Sequence, residues 1–250
     1  MSTSTLRIAL IYPELLGTYG DGGNAIVLAA RARWHGLPAE VTEIRAGDPV
    51  PAGCDAYLFG GGEDEPQALA AAGMRGGGLT AAVHEGAVVL AVCAGLQIVG
   101  TSFPGTDGQL HDGVGLVDLT TAPGSPRSVG DLVVAPGPGL GLPLLYGYEN
   151  HGGRTTLGAG LAPLGDVRRG VGNGTALRTD GVWAEVGHGL VVGTYLHGPV
   201  LAQNPTLADR LLRHLVPALP PLAVDQPPVR AAEEASRELR EARARQTGEH

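Results

Sequence analysis

Two residues far apart in the chain have the types and surroundings for covalent chemistry. Cys93 closes an apolar run, Ala87-Val88-Val89-Leu90-Ala91-Val92, and is followed by Ala94-Gly95-Leu96-Gln97. A buried strand that ends in a nucleophile and turns sharply into a helix needs small residues on both sides, because the backbone there is strained and closely packed. Ala91 and Gly95, two before and two after Cys93, meet that need. A thiol at the first turn of a helix sits among unpaired backbone N–H groups at the positive end of the helix dipole, and both favour the thiolate. The same N–H groups, beginning with that of Ala94, can hold a developing oxyanion. A free cysteine is more often a small core hydrophobe, and in isolation Cys93 would be read that way.

A thiolate needs a base. His197 ends another long apolar run, Leu190-Val191-Val192-Gly193-Thr194-Tyr195-Leu196, so its ring is expected at the sheet edge where Cys93 emerges. Among the eight histidines, His111 and His188 lie in turn-like contexts. His151, within Glu149-Asn150-His151-Gly152-Gly153-Arg154, competes with His197, and spacing alone leaves the choice even. Gly60-Gly61-Gly62 follows a short apolar run, and its N–H groups can join that of Ala94 in an oxyanion hole. Gly20-Asp21-Gly22-Gly23 lacks the G-x-G-x-x-G spacing of a dinucleotide loop and is read as a glycine-rich active-site loop.

These groups must be held by a scaffold, and its first half alternates strand and helix. Strands are expected over Leu6 to Tyr12, Ala39 to Arg45, Asp55 to Phe59 and Ala87 to Val92. Helices are expected from an Asn24 cap to His35, over Pro66 to Met74 and over Leu79 to Glu85. That alternation predicts an α/β fold, a doubly wound, mostly parallel sheet flanked by helices. After Gly100 the pattern becomes short strand-like runs between Gly/Pro-rich turns: Gly113 to Thr120, Gly130 to Ala135, Leu145 to Glu149, Val182 to Val186 and Leu190 to Leu196. These additional β-strands are expected to pack on the same core. Asn204-Pro205 should cap a last helix to Val216. The domain is expected over residues 1–217, followed over 218–250 by a proline-rich linker and an Arg/Glu-rich solvated helix or disordered tail.

Composition narrows the function. The 250 residues carry a net charge of −8 with 4% aromatics, which argues against a nucleic-acid partner. All 17 basic residues are arginine, so neither a Walker A loop nor Schiff-base lysine chemistry is available. Two distant cysteines, no apolar span and no signal peptide point to a cytoplasmic protein without a disulfide framework or integral membrane contact. No metal site and no cofactor are expected.

Val92-Cys93-Ala94-Gly95-Leu96-Gln97 resembles the nucleophile motif of class I (triad-type) glutamine amidotransferases, and Gly193-Thr194-Tyr195-Leu196-His197-Gly198 is similar to the histidine motif of their CobB/CobQ-like branch. Tyr19 to Asn24, Gly60 to Gly62, Gly130 to Val134, Glu149 to Thr155 and Tyr195 to Pro199 narrow the resemblance to the glutaminase subunits of lipid II isoglutaminyl synthases, over Leu6 to Leu215. The resemblance implies a flavodoxin-like amidotransferase fold, Cys93 as nucleophile on the side-chain amide of L-glutamine, and His197 as base. It places the substrate-binding arginine on Arg127, whose guanidinium fork suits the α-carboxylate. Gly61, Ala94 and Gln97 then line or support the pocket. The family-wide acid two residues after the histidine is replaced by Pro199, leaving a Cys-His dyad or an acid from elsewhere, with Asp21, Glu63, Asp64 and Glu149 open. The chain is expected to leave no room for ligase chemistry, and the resemblance then implies a heterodimer with a MurT-like ATP-dependent ligase. A cobyrinate- or cobyrate-type glutaminase and a non-catalytic binding subunit are the alternatives.

Overall fold

The computed structural model describes residues 5–105 and 108–247. Its first half follows the expected alternation: β1 (Leu6–Ile11), α1 (Gly23–Trp34), β2 (Ala39–Ile44), β3 (Ala56–Phe59), α2 (Asp64–Met74), α3 (Leu79–Glu85), β4 (Val88–Val92) and α4 (Ala94–Val99). The second half is mostly β: β5 (Ser102–Pro104), β6 (Leu110–Asp112), β7 (Leu119–Pro136), β8 (Leu145–Leu157), β9 (Gly165–Arg169), β10 (Thr179–Asp180), β11 (Val182–Val186) and β12 (Gly189–Thr194). Three helices close the chain: α5 (Val200–Gln203), α6 (Pro205–Leu215) and α7 (Pro227–Thr247).

The main sheet has the order β11-β12-β4-β3-β1-β2, with all neighbours parallel except the edge strand β11. Read from β2, the five parallel strands run 2-1-3-4 and then β12, the flavodoxin-like order. Every residue of β3, β4 and β12 is buried, as expected for strands covered by layers on both faces. The second sheet runs β10-β9-β7-β5-β6, and β8 pairs along β7. Phe103, Leu119, Leu132, Val134 and Leu145 from this sheet join the same hydrophobic cluster as the first.

Four expectations are corrected. Gly113 to Asp118 is not strand: the N–H groups of Gly113, Val114 and Gly115 instead bond the carbonyls of Thr101, Ile98 and Gly100 at the end of α4. Gly130 to Ala135 and Leu145 to Glu149 are parts of the much longer β7 and β8, whose pairing tolerates Pro123, Gly124 and Pro126 because the register shifts between Pro123 and Ser128. Asn24 does not cap α1, which starts at Gly23; its Oδ1 accepts from Leu201 N at 2.9 Å, in the first turn of α5. Asn204 precedes α6 without a side-chain cap bond, its amide bridging Tyr146 N at 2.9 Å and Tyr146 O at 2.8 Å.

Residues 218–247 lie against α1 and α6. Ala223 N donates to Trp34 O at 3.1 Å, Val229 is fully buried, and Arg243 Nη1 meets Asp131 Oδ1 at 3.0 Å. The anchor is Arg31 of α1, whose Nε and Nη2 clasp the Asp209 carboxylate of α6 at 2.6 and 2.7 Å while Nη1 reaches Glu233 of α7 at 2.6 Å. Burial alone would raise the Asp209 pKa, but the Arg31 bonds and charge outweigh it and hold the carboxyl below its usual range. No helix among the described residues is long and apolar enough to cross a membrane.

Removing one partner of a buried ion pair strands the other, whereas a half-exposed pair is screened by water. Arg31→Ala should therefore cost about 3–5 kcal/mol of unfolding free energy, and Glu233→Ala no more than about 1 kcal/mol. Urea titration of the two variants measures this, and equal losses would show that Asp209 is not the group Arg31 supports.

Candidate active site

The parallel order brings the carboxyl ends of β12, β4, β3 and β1 to one edge, where open α/β sheets bind ligands. Cys93 follows β4 with φ 53° and ψ −103°, a left-handed conformation that costs a non-glycine residue on the order of 1–3 kcal/mol and persists only when the surroundings impose it. They do. Its N–H donates to Thr194 O at 2.8 Å, and α4 begins at the next residue. Gly95 lets that turn sit against β3, because a Cβ there would lie 2.9 Å from Phe59 O.

His197 is held by both sheets. It follows β12, and its backbone forms a bridge to Tyr148 of β8, donating to Tyr148 O at 2.8 Å. Its ring is buried, with Nδ1 2.9 Å from Asp21 Oδ2. The other nitrogen, Nε2, is buried without a hydrogen-bond partner among the described residues. Burial works against a charge on this imidazole, but the hydrogen bond to Asp21 and the proximity of Cys93 and Asp21 outweigh it and raise the pKa to about 9. Gly61 packs on the ring so closely that a Cβ would lie 2.6 Å from Cε1. The arrangement is a cysteine, a histidine with one nitrogen free, and a buried carboxylate orienting the other nitrogen.

Of the four open acids, the structure puts Asp21 on His197. Glu63 sits at the start of α2 without a side-chain cap bond, and the side chain of Asp64 lies outside the described residues. Glu149 belongs to the rival histidine: its Oε2 is 3.1 Å from His151 Nε2, and it also accepts from Val171 N and Gly172 N at 2.8 and 2.9 Å. His151 Nδ1 faces Gly153 O at 3.1 Å, and the ring stacks on Tyr195 at a centroid distance of 3.7 Å. With both nitrogens engaged, His151 has none to offer a thiol. The buried Asp180 braces the segment before His197, accepting from Thr194 Oγ1 at 2.5 Å and Tyr195 N at 3.1 Å; desolvation lifts its pKa to about 7 despite those bonds.

A cavity of about 220 Å³ opens beside Cys93, with Gly62, Ala94, Gln97, Arg127 and Asn150 in its wall. That is below the roughly 300–1,000 Å³ of drug-sized ligand sites, and it suits an amino acid better than a nucleotide. Arg127 is exposed at its rim, with Nε 2.6 Å from Asn150 Oδ1. Gln97 sits in the wall as a brace, accepting from Gln67 Nε2 at 2.9 Å and donating to Tyr195 Oη at 3.2 Å. Gln67 carried no motif that sequence reasoning used. The Gly61 N–H, assigned from sequence to an oxyanion hole, instead donates to Asp21 Oδ2 at 2.9 Å; the residues of the two loops that line the cavity are Ala94 and Gly62. A wider cleft of about 750 Å³ lies at the amino ends of β1, β3 and β4, away from Cys93. Among the described residues no group of three His, Cys, Asp or Glu side chains is arranged to hold a metal.

Residues 7–205 match the CobB/CobQ-like glutamine amidotransferase domain. The lipid II isoglutaminyl synthase (glutamine-hydrolyzing) subunit GatD of Staphylococcus aureus (strain N315) is 34% identical over 210 residues, 83% of each chain. The same subunit of Streptococcus pneumoniae (strain ATCC BAA-255 / R6) is 33% identical over 211 residues, 83% of this chain and 79% of that one. A cobyric acid synthase of Albidiferax ferrireducens is 32% identical over 182 residues, 67% of this chain but 34% of the relative. The crystal structure of a glutamine amidotransferase superposes with a TM-score of 0.53 at 16% identity, covering 83% of this chain and 98% of the other, which shows the shared fold.

If Asp21 is what keeps His197 charged, its removal leaves burial opposed by Cys93 alone. The imidazole proton resonances of His197, followed by NMR, should titrate near pH 9 in the native chain and at a clearly lower pH in Asp21→Asn. An unchanged midpoint would remove Asp21 from the site.

Proposed function

The chain belongs to the CobB/CobQ-like glutamine amidotransferase family, and we propose that it is the glutaminase subunit of a lipid II isoglutaminyl synthase. In this reading it hydrolyses L-glutamine in the cytoplasm and passes ammonia to a MurT-like ATP-dependent ligase, which amidates D-glutamate of the peptidoglycan stem peptide. The observation that carries the catalytic part is the free Nε2 of His197, buried beside Cys93 while Asp21 occupies Nδ1. Similarity along 83% of the GatD chain, against 34% of the cobyric acid synthase, supports the choice of ligase over the cobyrate-type alternative.

The chemistry follows from the positions. His197 Nε2 carries the proton it shares with Cys93, in keeping with its raised pKa, and the sulfur attacks the side-chain amide carbon of glutamine. The oxygen that gains charge is met by the N–H of Ala94 at the start of α4. His197, now an imidazolium held by Asp21, returns its proton to the leaving nitrogen as the C–N bond breaks, giving ammonia and a γ-glutamyl thioester. Water attacks the thioester with Nε2 as base, glutamate leaves, and the thiol is restored. Arg127 at the cavity rim meets the α-carboxylate, so binding energy remote from the amide orients it against the sulfur.

The test is a reconstituted complex with a MurT-like ligase, ATP and lipid II. Native protein should support amidation from glutamine, while Cys93→Ala should abolish glutamine-dependent amidation and glutamate release yet leave amidation from ammonium chloride intact. Retained glutamine use in Cys93→Ala refutes the catalytic assignment, and failure of every MurT-like ligase to respond refutes the partnership.

A further inference from the structure

Asn150, in the middle of β8, touches three functional groups with different atoms. Its Oδ1 accepts from Arg127 Nε at 2.6 Å, and its backbone oxygen accepts from Arg127 Nη2 at 3.2 Å. Its Nδ2 donates to Tyr19 Oη at 2.8 Å. Cys93 Sγ lies 4.0 Å from the same backbone oxygen that Arg127 uses. Tyr19 in turn packs its ring on His197, with centroids 4.5 Å apart. The orientation of the Asn150 amide is dictated by these neighbours, since a guanidinium only donates and the phenol oxygen is able to accept.

Arg127 is otherwise poorly restrained. It is exposed and belongs to the irregular part of β7 between Pro123 and Ser128, where pairing with β8 is interrupted. Among the described residues, Asn150 is the hydrogen-bond partner of its guanidinium. Those two bonds occupy the Nε–H and one Nη2–H, leaving three of the five donors, of which one N–H each of Nη1 and Nη2 point outward side by side in the geometry that grips a carboxylate bidentately. The residue that aims the carboxylate anchor is therefore the residue whose carbonyl flanks the nucleophile.

We propose that Asn150, its amide held by Tyr19, is a positioning residue that sets the separation between Arg127 and the Cys93 sulfur, and so selects an amino acid whose side-chain amide lies at the reach of glutamine. This rests on the glutaminase reading and adds to it a specificity element outside the triad. An amino acid one methylene shorter, anchored by the same carboxylate, holds its amide carbon short of the sulfur. An Arg127 freed from Asn150 loses both its grip on glutamine and its discrimination against asparagine.

The test uses the complex of the full chain with its ligase and reads two quantities. One is the glutamine concentration that protects Cys93 from iodoacetamide, followed by peptide mapping; the other is KM against kcat for glutamine and asparagine. Asn150→Ala should raise the protecting concentration and KM by about ten- to a hundredfold, more than kcat falls, the loss expected for hydrogen bonds to a charged group. Tyr19→Phe keeps the ring on His197, loses only the phenol oxygen, and should raise both by about three- to tenfold. Arg127→Ala combined with Asn150→Ala should be no worse than Arg127→Ala alone, because the two act as a unit. Preference for glutamine over asparagine should fall in Asn150→Ala. Multiplying effects in the double variant, or native affinity in both Asn150→Ala and Tyr19→Phe, overturns the proposal. A native complex that glutamine fails to protect overturns the glutaminase reading with it, whereas a protected native complex with multiplying effects overturns this inference alone.

Discussion

The hydrogen bond between Asp21 and His197 is the contact around which the rest of the site is arranged. Both side chains are buried, and an ionisable pair taken out of water is tolerated only where each member is held by further donors or charges. Asp21 Oδ2 has the Gly61 N–H as well as the imidazole, and the charge on His197 is favoured by Cys93. The pair thus links the loop after β1, the glycine loop after β3, the elbow after β4 and the end of β12 in one small volume. None of these four loops is close to the others in sequence. They meet because the strands they follow are neighbours in a parallel sheet, with every carboxyl end at the same edge.

The second sheet adds a roof. Its long β7–β8 hairpin crosses the elbow, clamps the backbone of His197 through Tyr148, and lowers Asn150 and His151 toward Cys93. Two histidine–acid pairs then surround one thiol, and hydrogen-bond accounting separates their roles. His151 is engaged at both nitrogens, stacked on Tyr195 and tied through Glu149 to the turn at residues 171–172, which makes it part of the wall. His197 retains one free nitrogen, which makes it the group able to exchange a proton with sulfur.

The elbow that carries Cys93 was legible in the sequence because its requirements are local: an apolar strand, small neighbours and a helix directly after. The parallel half of the fold was legible for the same reason, since β3 and β4 are unbroken apolar runs and β1 and β12 nearly so, interrupted only by Arg7 in β1 and closing on Thr194 in β12. Spacing did not separate His197 from His151, and only the motif resemblance pointed to His197; what distinguishes them in the fold is the set of tertiary partners of their ring nitrogens. Asp21 was one of four open acids, since its place beside His197 comes from sheet order rather than spacing. Pro123, Gly124 and Pro126 read as turns and hid the length of β7, yet they fall in a stretch where the strand does not need regular pairing. Asn24 and Asn204 read as helix caps, but each spends its amide on backbone far away, at Leu201 and Tyr146, where a buried N–H would otherwise lack a partner.

The central claim is that a single thiol, activated by His197 and opening onto the small cavity beside it, is the reacting group. It is tested most directly by treating the native chain with a diazoketone analogue of glutamine and locating the adduct by mass spectrometry. The account predicts one covalent adduct per chain, on Cys93, that excess L-glutamine suppresses and that does not form in His197→Ala. An adduct on Cys54, or labelling of Cys93 that ignores both glutamine and the loss of His197, would contradict it.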